Sequence, residues 1–188
     1  MAVIKEHAFL KAGGKKSMNI QDIVDLQTHR LEDQSWRVAK RDELRAKGAV
    51  PLRGFLNEWA LEILQEQAAN GLGQAYFNPQ RHNIYLTPKD EAFADNHIRN
   101  HLVESSKGCI TDDQIEAKSP LKILYHHPLF QSALCTILEE DGLFAYADSL
   151  SSVNIHYARK GEELGWHFDN SSFALFTYIL SSFLIMPS

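Results

Sequence analysis

The residue pair best suited to chemistry in this sequence is His167 and Asp169, in the run His167-Phe168-Asp169. In a strand, residues two apart project to the same side, so an imidazole nitrogen and a carboxylate oxygen can converge on one ion. That donor set suits Fe(II), Mn(II) or Zn(II). Alone the pair says little: with nine histidines and eleven aspartates in 188 residues, chance supplies roughly half an instance. Its surroundings add weight. Asn154 and Tyr157 stand on a preceding strand, Gly161 marks a turn, and Leu164 opens the return strand that ends in His167 and Asp169.

Other candidates fall away. The sequence holds no His-Glu-x-x-His, no Cys-x-x-Cys, no glycine-rich phosphate loop and no Gly-x-Ser-x-Gly elbow. Cys135 lies on the apolar side of a helix and reads as a small packing residue. His126 and His127 are adjacent and point apart. His29, His97 and His101 sit in polar, helical surroundings, and a solvated face is the better reading even for the i, i+4 pair His97 and His101.

The elements that must position His167 and Asp169 follow from periodicity. Asn19 caps an amphipathic helix carried by Ile20, Ile23, Val24, Leu31, Val38 and Leu44 to about residue 46, closed by Gly48 and Pro51. Leu52, Phe55, Leu56, Trp59, Ala60, Ile63 and Leu64 predict a second helix with an inward stripe, stopped at Gly71. Residues 82–87 alternate and end at Pro88, a strand. Residues 95–105 read as a short helix and 106–120 as a polar loop. A further helix spans 128–140, with Leu129, Ala133, Leu134, Ile137 and Leu138 inward. Strands follow at 143–146, 152–158, 164–169 and from 173 onward. Helices first and antiparallel strands later predict an α+β chain, a sandwich or barrel with helices on its outer face. The alternation places Asn154 and His156 toward a common side, and Trp166 and Phe168 toward the core or its helical cover.

Composition bounds the partners. The formal charge of −5 offers no bulk attraction to nucleic acid or anionic membrane. Two cysteines exclude a disulfide scaffold and suit a reducing compartment. Residues 1–17 lack the apolar core of a secretory signal and read as a disordered extension. Lys5, Lys11, Lys15 and Lys16 are only a weak signal for a mitochondrial leader, so a cytoplasmic location is expected. No side chain from Asn170 to Ser188 is ionised. That stretch is short for a membrane span and lacks flanking cations, and its β-propensity reads instead as an aggregation hazard.

The string from Val153 to Asp169 resembles the Fe(II)/2-oxoglutarate-dependent oxygenases, whose double-stranded β-helix carries an Asn-x-x-Tyr strand, a glycine turn and then His-x-Asp. Ser106-Lys-Gly-Cys-Ile-Thr-Asp-Asp-Gln-Ile115, Ser119-Pro-Leu-Lys-Ile-Leu-Tyr125 and Gly165-Trp-His-Phe-Asp-Asn-Ser-Ser-Phe-Ala174 are similar to the branch of free-amino-acid halogenases and their hydroxylating relatives. The resemblance covers about residues 18–175. It implies a jelly-roll core with the N-terminal helices packed outside, and iron held by His167 and Asp169 as two ligands of a 2-His-1-carboxylate triad. It further implies 2-oxoglutarate as cosubstrate and O2 as oxidant, with Asn154, Tyr157 and His156 around the cosubstrate. The substrate would be a small metabolite such as a free amino acid. Halogenating members carry a small residue in place of the carboxylate; Asp169 therefore points to hydroxylation.

The family also uses a later His and a later Arg, the latter pairing with the far carboxylate of 2-oxoglutarate. Here no His follows His167 and no Arg follows Arg159. The sequence thus predicts a C-terminally truncated, single partial domain over 18–188: a mainly helical cover at 18–140 and the first jelly-roll strands at 143–188. A catalytically inactive fragment, or a jelly-roll binding or structural protein, is the alternative. Oligomeric state is not legible.

Overall fold

A computed structural model describes residues 18–148, 150, 152–169 and 171–179. The expectations for residues 1–17 and for the end of the uncharged tail lie outside the described residues. The fold is mixed α+β, with small antiparallel sheets and helices.

The first predicted helix is shorter than its pattern. Asn19 caps only a single turn, Ile20–Asp22. Asp25 then accepts from the backbone N–H of Gln27 and Thr28, which competes with helix propagation. Backbone pairing also draws this stretch toward residues 55–57: Asp25 N–H donates to the Phe55 carbonyl and Asn57 N–H to that of Ile23. Helix α1 (Gln34–Lys47) starts afresh at Asp33, whose carboxylate accepts from Ser35 and Trp36 N–H, and stops at Gly48 with φ of 72°.

Helix α2 (Glu58–Gly71) begins later than the apolar stripe suggests, because Gly54 has φ of 65° and Asn57 is the cap. Leu52, Phe55 and Leu56 still pack on the core from the approach to the helix. Ala60, Leu64 and Ala68 face inward, whereas Trp59 is 45% exposed, contrary to the inward stripe. Helices α3 (Pro120–His126) and α4 (Pro128–Leu138) follow each other, capped by Ser119 and His127 with proline in each first turn. Only α4 is legible in the periodicity; α3 is too short to show one.

The strands are β1 (Tyr76–Phe77), β2 (Gln80–Asn83), β3 (Leu102–Ser105), β4 (Gly108–Ile110) and β5 (Ile155–Tyr157). They form one sheet in the order β1-β4-β5 and a separate β2-β3 hairpin, all antiparallel. Several expectations are corrected here. The strand expected at 82–87 ends at Asn83, whose buried amide accepts from Tyr85 and Thr87 N–H and donates to the Thr87 carbonyl, turning the chain. The helix expected at 95–105 is one turn followed by β3, because Asn100 ties residues 90–94 into a loop through the Asp90 and Phe93 carbonyls. The loop expected at 106–120 contains β4, the central strand. Of the late strands, only β5 within 152–158 is paired; 143–146, 164–169 and the described residues from 173 onward lie outside named strands.

Two cores result. The first gathers Ile20, Ile23, Val24, Leu31, Trp36, Ala60, Leu124, Ala133 and Ile137. His29, expected on a polar helical face, is 5% exposed here: its Nε2 is 2.9 Å from the Arg53 carbonyl and its ring meets Phe55 and Trp36 edge-on. The second core packs Ala68 of α2 against Ile110, Ile115, Ile155 and Tyr157.

Asn57 joins the two ends of this arrangement, accepting from Ala60 N–H at 2.8 Å and donating to the Asp22 carbonyl at 2.8 Å. Replacing it in Asn57→Ala is expected to cost about 1–2 kcal/mol, read from urea unfolding at constant slope.

Candidate functional site

The return segment that carries the His-x-Asp run is docked on the β2-β3 hairpin. Ser106 N–H donates to the Glu163 carbonyl at 2.9 Å, and Phe168 N–H to the Ile84 carbonyl at 2.7 Å. Between these points Gly165 presses on β3: an added Cβ would stand 2.5 Å from the Glu104 carbonyl oxygen and 3.1 Å from His82 Nε2. Glycine is required by this close approach, not by its φ.

The docking brings the predicted pair together. His167 Nε2 lies 3.2 Å from Asp169 Oδ1, while His167 Nδ1 is 2.7 Å from the Gly165 carbonyl. The Gly165 carbonyl can only accept, so Nδ1 carries a proton and the ring is oriented with Nε2 toward the carboxylate. Nitrogen and oxygen donors so placed fit a first-row divalent ion in chemistry. Among the described residues, however, no group of three or more His, Cys, Asp or Glu is placed to hold a metal ion.

The other predicted site residues divide. In β5 the side chains alternate, with Ile155 and Tyr157 buried and His156 exposed. His156 thus lies on the open face of the sheet, and Asn154, just before β5, is exposed. Tyr157 projects to the opposite face, where its hydroxyl donates to the Ala68 carbonyl at 2.9 Å inside the second core. The Asn154 amide, oriented by its hydrogen bonds, donates to the Val153 and Leu150 carbonyls at 3.1 Å each, so its oxygen is what remains for a ligand. Trp166 and Phe168, expected inward, are 84% and 62% exposed. Phe168 instead stacks on Tyr85 at 5.6 Å, with the Arg99 guanidinium over the Tyr85 ring.

Two residues join the site that sequence reasoning did not single out. His82 of β2 meets the His167 ring edge-on at 5.8 Å, with its Nδ1 3.0 Å from the Asn83 carbonyl. Beside it opens a cleft of about 490 Å3, lined among others by Arg81, Asn83, Thr87 and Leu102. Lys107, just before β4, is half-buried, and its charge acts on Cys109 and His156. Its only signal in the sequence is a cation next to a strand-forming Gly-Cys-Ile.

Electrostatics on this face are set by burial. Desolvation pushes the Lys107 ammonium down and the Cys109 thiol up from their ordinary values. His156 is held below the usual imidazole value by desolvation and then by the charge of Lys107, against a hydrogen bond with the Gly108 backbone. Its unfolded-state value stays near 6.5, so the unfolded chain takes up the proton first as pH falls. The contribution of His156 to stability is therefore intact above about pH 6.5 and is lost below it.

Comparison of the chain with protein-family models, with curated proteins and with solved structures finds no match. No helix of the described residues is long and apolar enough to cross a membrane.

Two outcomes are expected. Gly165→Ala should destabilise by about 1–3 kcal/mol through overpacking against backbone, measured by urea unfolding. His156→Gln should flatten the decline in urea midpoint seen in the wild type as pH is lowered through about 6.5; parallel declines would show that His156 does not titrate as placed.

Proposed function

We propose that the chain carries the metal-binding part of a non-haem Fe(II)/2-oxoglutarate-dependent oxygenase, a hydroxylase of a small metabolite such as a free amino acid. The observation that carries this reading is the approach of His167 Nε2 to Asp169 Oδ1 with Nδ1 anchored on the Gly165 carbonyl. An imidazole oriented by a backbone carbonyl, with a carboxylate already beside it, needs little reorganisation to accept an ion. The bound metal would supply coordination of the keto acid and O2 and the oxidising power for C–H attack.

What the chain's own residues contribute can be derived. The Gly165 carbonyl orients the His167 ring through Nδ1, and the His82 ring limits rotation of the imidazole from one side. Asp169, nearly half-exposed, keeps an oxygen open to the ion. The open face of the β1-β4-β5 sheet, bearing His156, with Asn154 just before β5, provides the polar wall beside the pair. In this reading that sheet is one layer of a double-stranded β-helix, covered on its other face by α2.

A second reading is favoured by the absence of a third donor among the described residues: a jelly-roll protein that binds a ligand or a metal without turnover. The two are separated by one experiment on the full chain. Fe(II), 2-oxoglutarate and O2 should yield succinate, and His167→Ala should abolish it. In parallel His167→Ala and Asp169→Ala should each weaken Co(II) binding by at least about tenfold, followed by absorption. Metal binding that depends on both residues without succinate supports the second reading. Co(II) affinity that neither substitution changes would sink both metal-based readings.

A further inference from the structure

We propose that Tyr85 and Arg99 are positioning residues for the His167–Asp169 pair: the connection between β2 and β3 clamps Phe168, and through it the two donors on either side. For what the pair holds, this rests on the metal-centre reading above.

The clamp is a ladder of rings and one cation. Phe168 stacks on Tyr85 at 5.6 Å between centroids, with the planes 26° from parallel. The Arg99 guanidinium stands 5.3 Å from the Tyr85 centroid and 5.7 Å from that of Phe93, which itself stacks on His97 at 4.4 Å. Ring stacks and a cation over a ring face are attractive arrangements. The far end of the ladder is fixed to the loop. Arg99 Nε pairs with Asp90 Oδ2 at 2.8 Å, and the buried Asn100 amide accepts from Asp90 N–H and donates to the Asp90 and Phe93 carbonyls. Backbone adds to the grip one position before Tyr85, where the Ile84 carbonyl accepts from Phe168 N–H at 2.7 Å.

The place of Phe168 in the chain gives this grip its consequence. It lies between His167 and Asp169, so holding its backbone and its ring holds the step from one donor to the other. The Gly165 carbonyl orients the imidazole from the upstream side only. Asp169 has a side chain 47% exposed, so its own packing does little to set where the carboxylate stands. Two donors whose separation is preset lose less freedom on taking up an ion than a pair on a loose segment. Trp166 supplies the contrast. It has the same parity as Phe168, is 84% exposed and shares no ring stack among the described residues.

The test is Co(II) titration of the full chain, followed by absorption, together with amide hydrogen exchange resolved by NMR. Tyr85→Leu, which keeps an apolar side chain but no ring, should weaken Co(II) binding by about three- to tenfold and speed exchange of Phe168 N–H by a similar factor. Tyr85→Phe keeps the ring and should stay within about twofold of wild type in both. Arg99→Met should show part of the loss, and Trp166→Leu should match the wild type. Wild-type Co(II) affinity or wild-type Phe168 exchange in Tyr85→Leu, a loss in Tyr85→Phe as large as in Tyr85→Leu, or an equal loss in Trp166→Leu would overturn the proposal. So would a rise in exchange of Ser106 N–H, bonded to the Glu163 carbonyl, as large as that of Phe168 N–H, since that is general loosening and not release of a clamp. Where His167→Ala itself leaves Co(II) affinity unchanged, the metal reading alone falls, and exchange at Phe168 against Ser106 decides the clamp by itself. Phe168→Leu breaks the same stack from the other side and replaces Tyr85→Leu if that variant lacks the wild-type thermal transition.

Discussion

Much of this structure depends on the contact between the C-terminal half of α2 and the buried face of the β1-β4-β5 sheet. Ala68 presents a small side chain there, and its carbonyl receives the Tyr157 hydroxyl. One turn on, a Cβ at Gly71 would stand 2.8 Å from both Ile110 Cδ1 and the Tyr157 hydroxyl oxygen. A methyl group there would force the ends of the Ile110 and Tyr157 side chains to shift. The first half of the same helix places Ala60 in the other core, among the residues of α3 and α4. One helix thus joins both cores and covers one face of the sheet.

That one-sided burial fixes which side chains of the sheet turn outward. With Ile110, Ile155 and Tyr157 committed to α2, strand alternation sends Cys109 and His156 outward. The His167–Asp169 pair is held independently, by the hairpin β2-β3 through Ser106, Glu104 and Ile84. The hairpin orients the His167 imidazole, and the three-stranded sheet turns His156 outward.

How far the sequence revealed this varies with the range of the interaction. The His-x-Asp pair was legible, because two residues in extended backbone need only local geometry to converge. Helix α4 and the core of α2 were legible from apolar spacing. The continuous first helix was not, because Asp25 and the pairing of Val24 with Leu56 act against propagation in a way that spacing cannot reveal. Strands β3 and β4 were hidden for a related reason: each is three or four residues long and is stabilised by a partner far along the chain. Tyr157 was assigned to the cosubstrate on the strength of its motif, but its hydroxyl answers to Ala68, a residue that no local pattern connects with it.

The sequence by itself determined the donor types, the two-residue spacing that lets His167 and Asp169 meet, the apolar faces of α2 and α4 and the alternation of β5. These are properties of a few neighbouring residues and their backbone geometry. Only the tertiary structure decided which face of β5 was covered, that the segment through Gly165 would lie on Glu104 and His82, and that Lys107 would be half-buried. Those outcomes depend on close approaches between segments distant in sequence, where steric room and desolvation, not local propensity, select the arrangement.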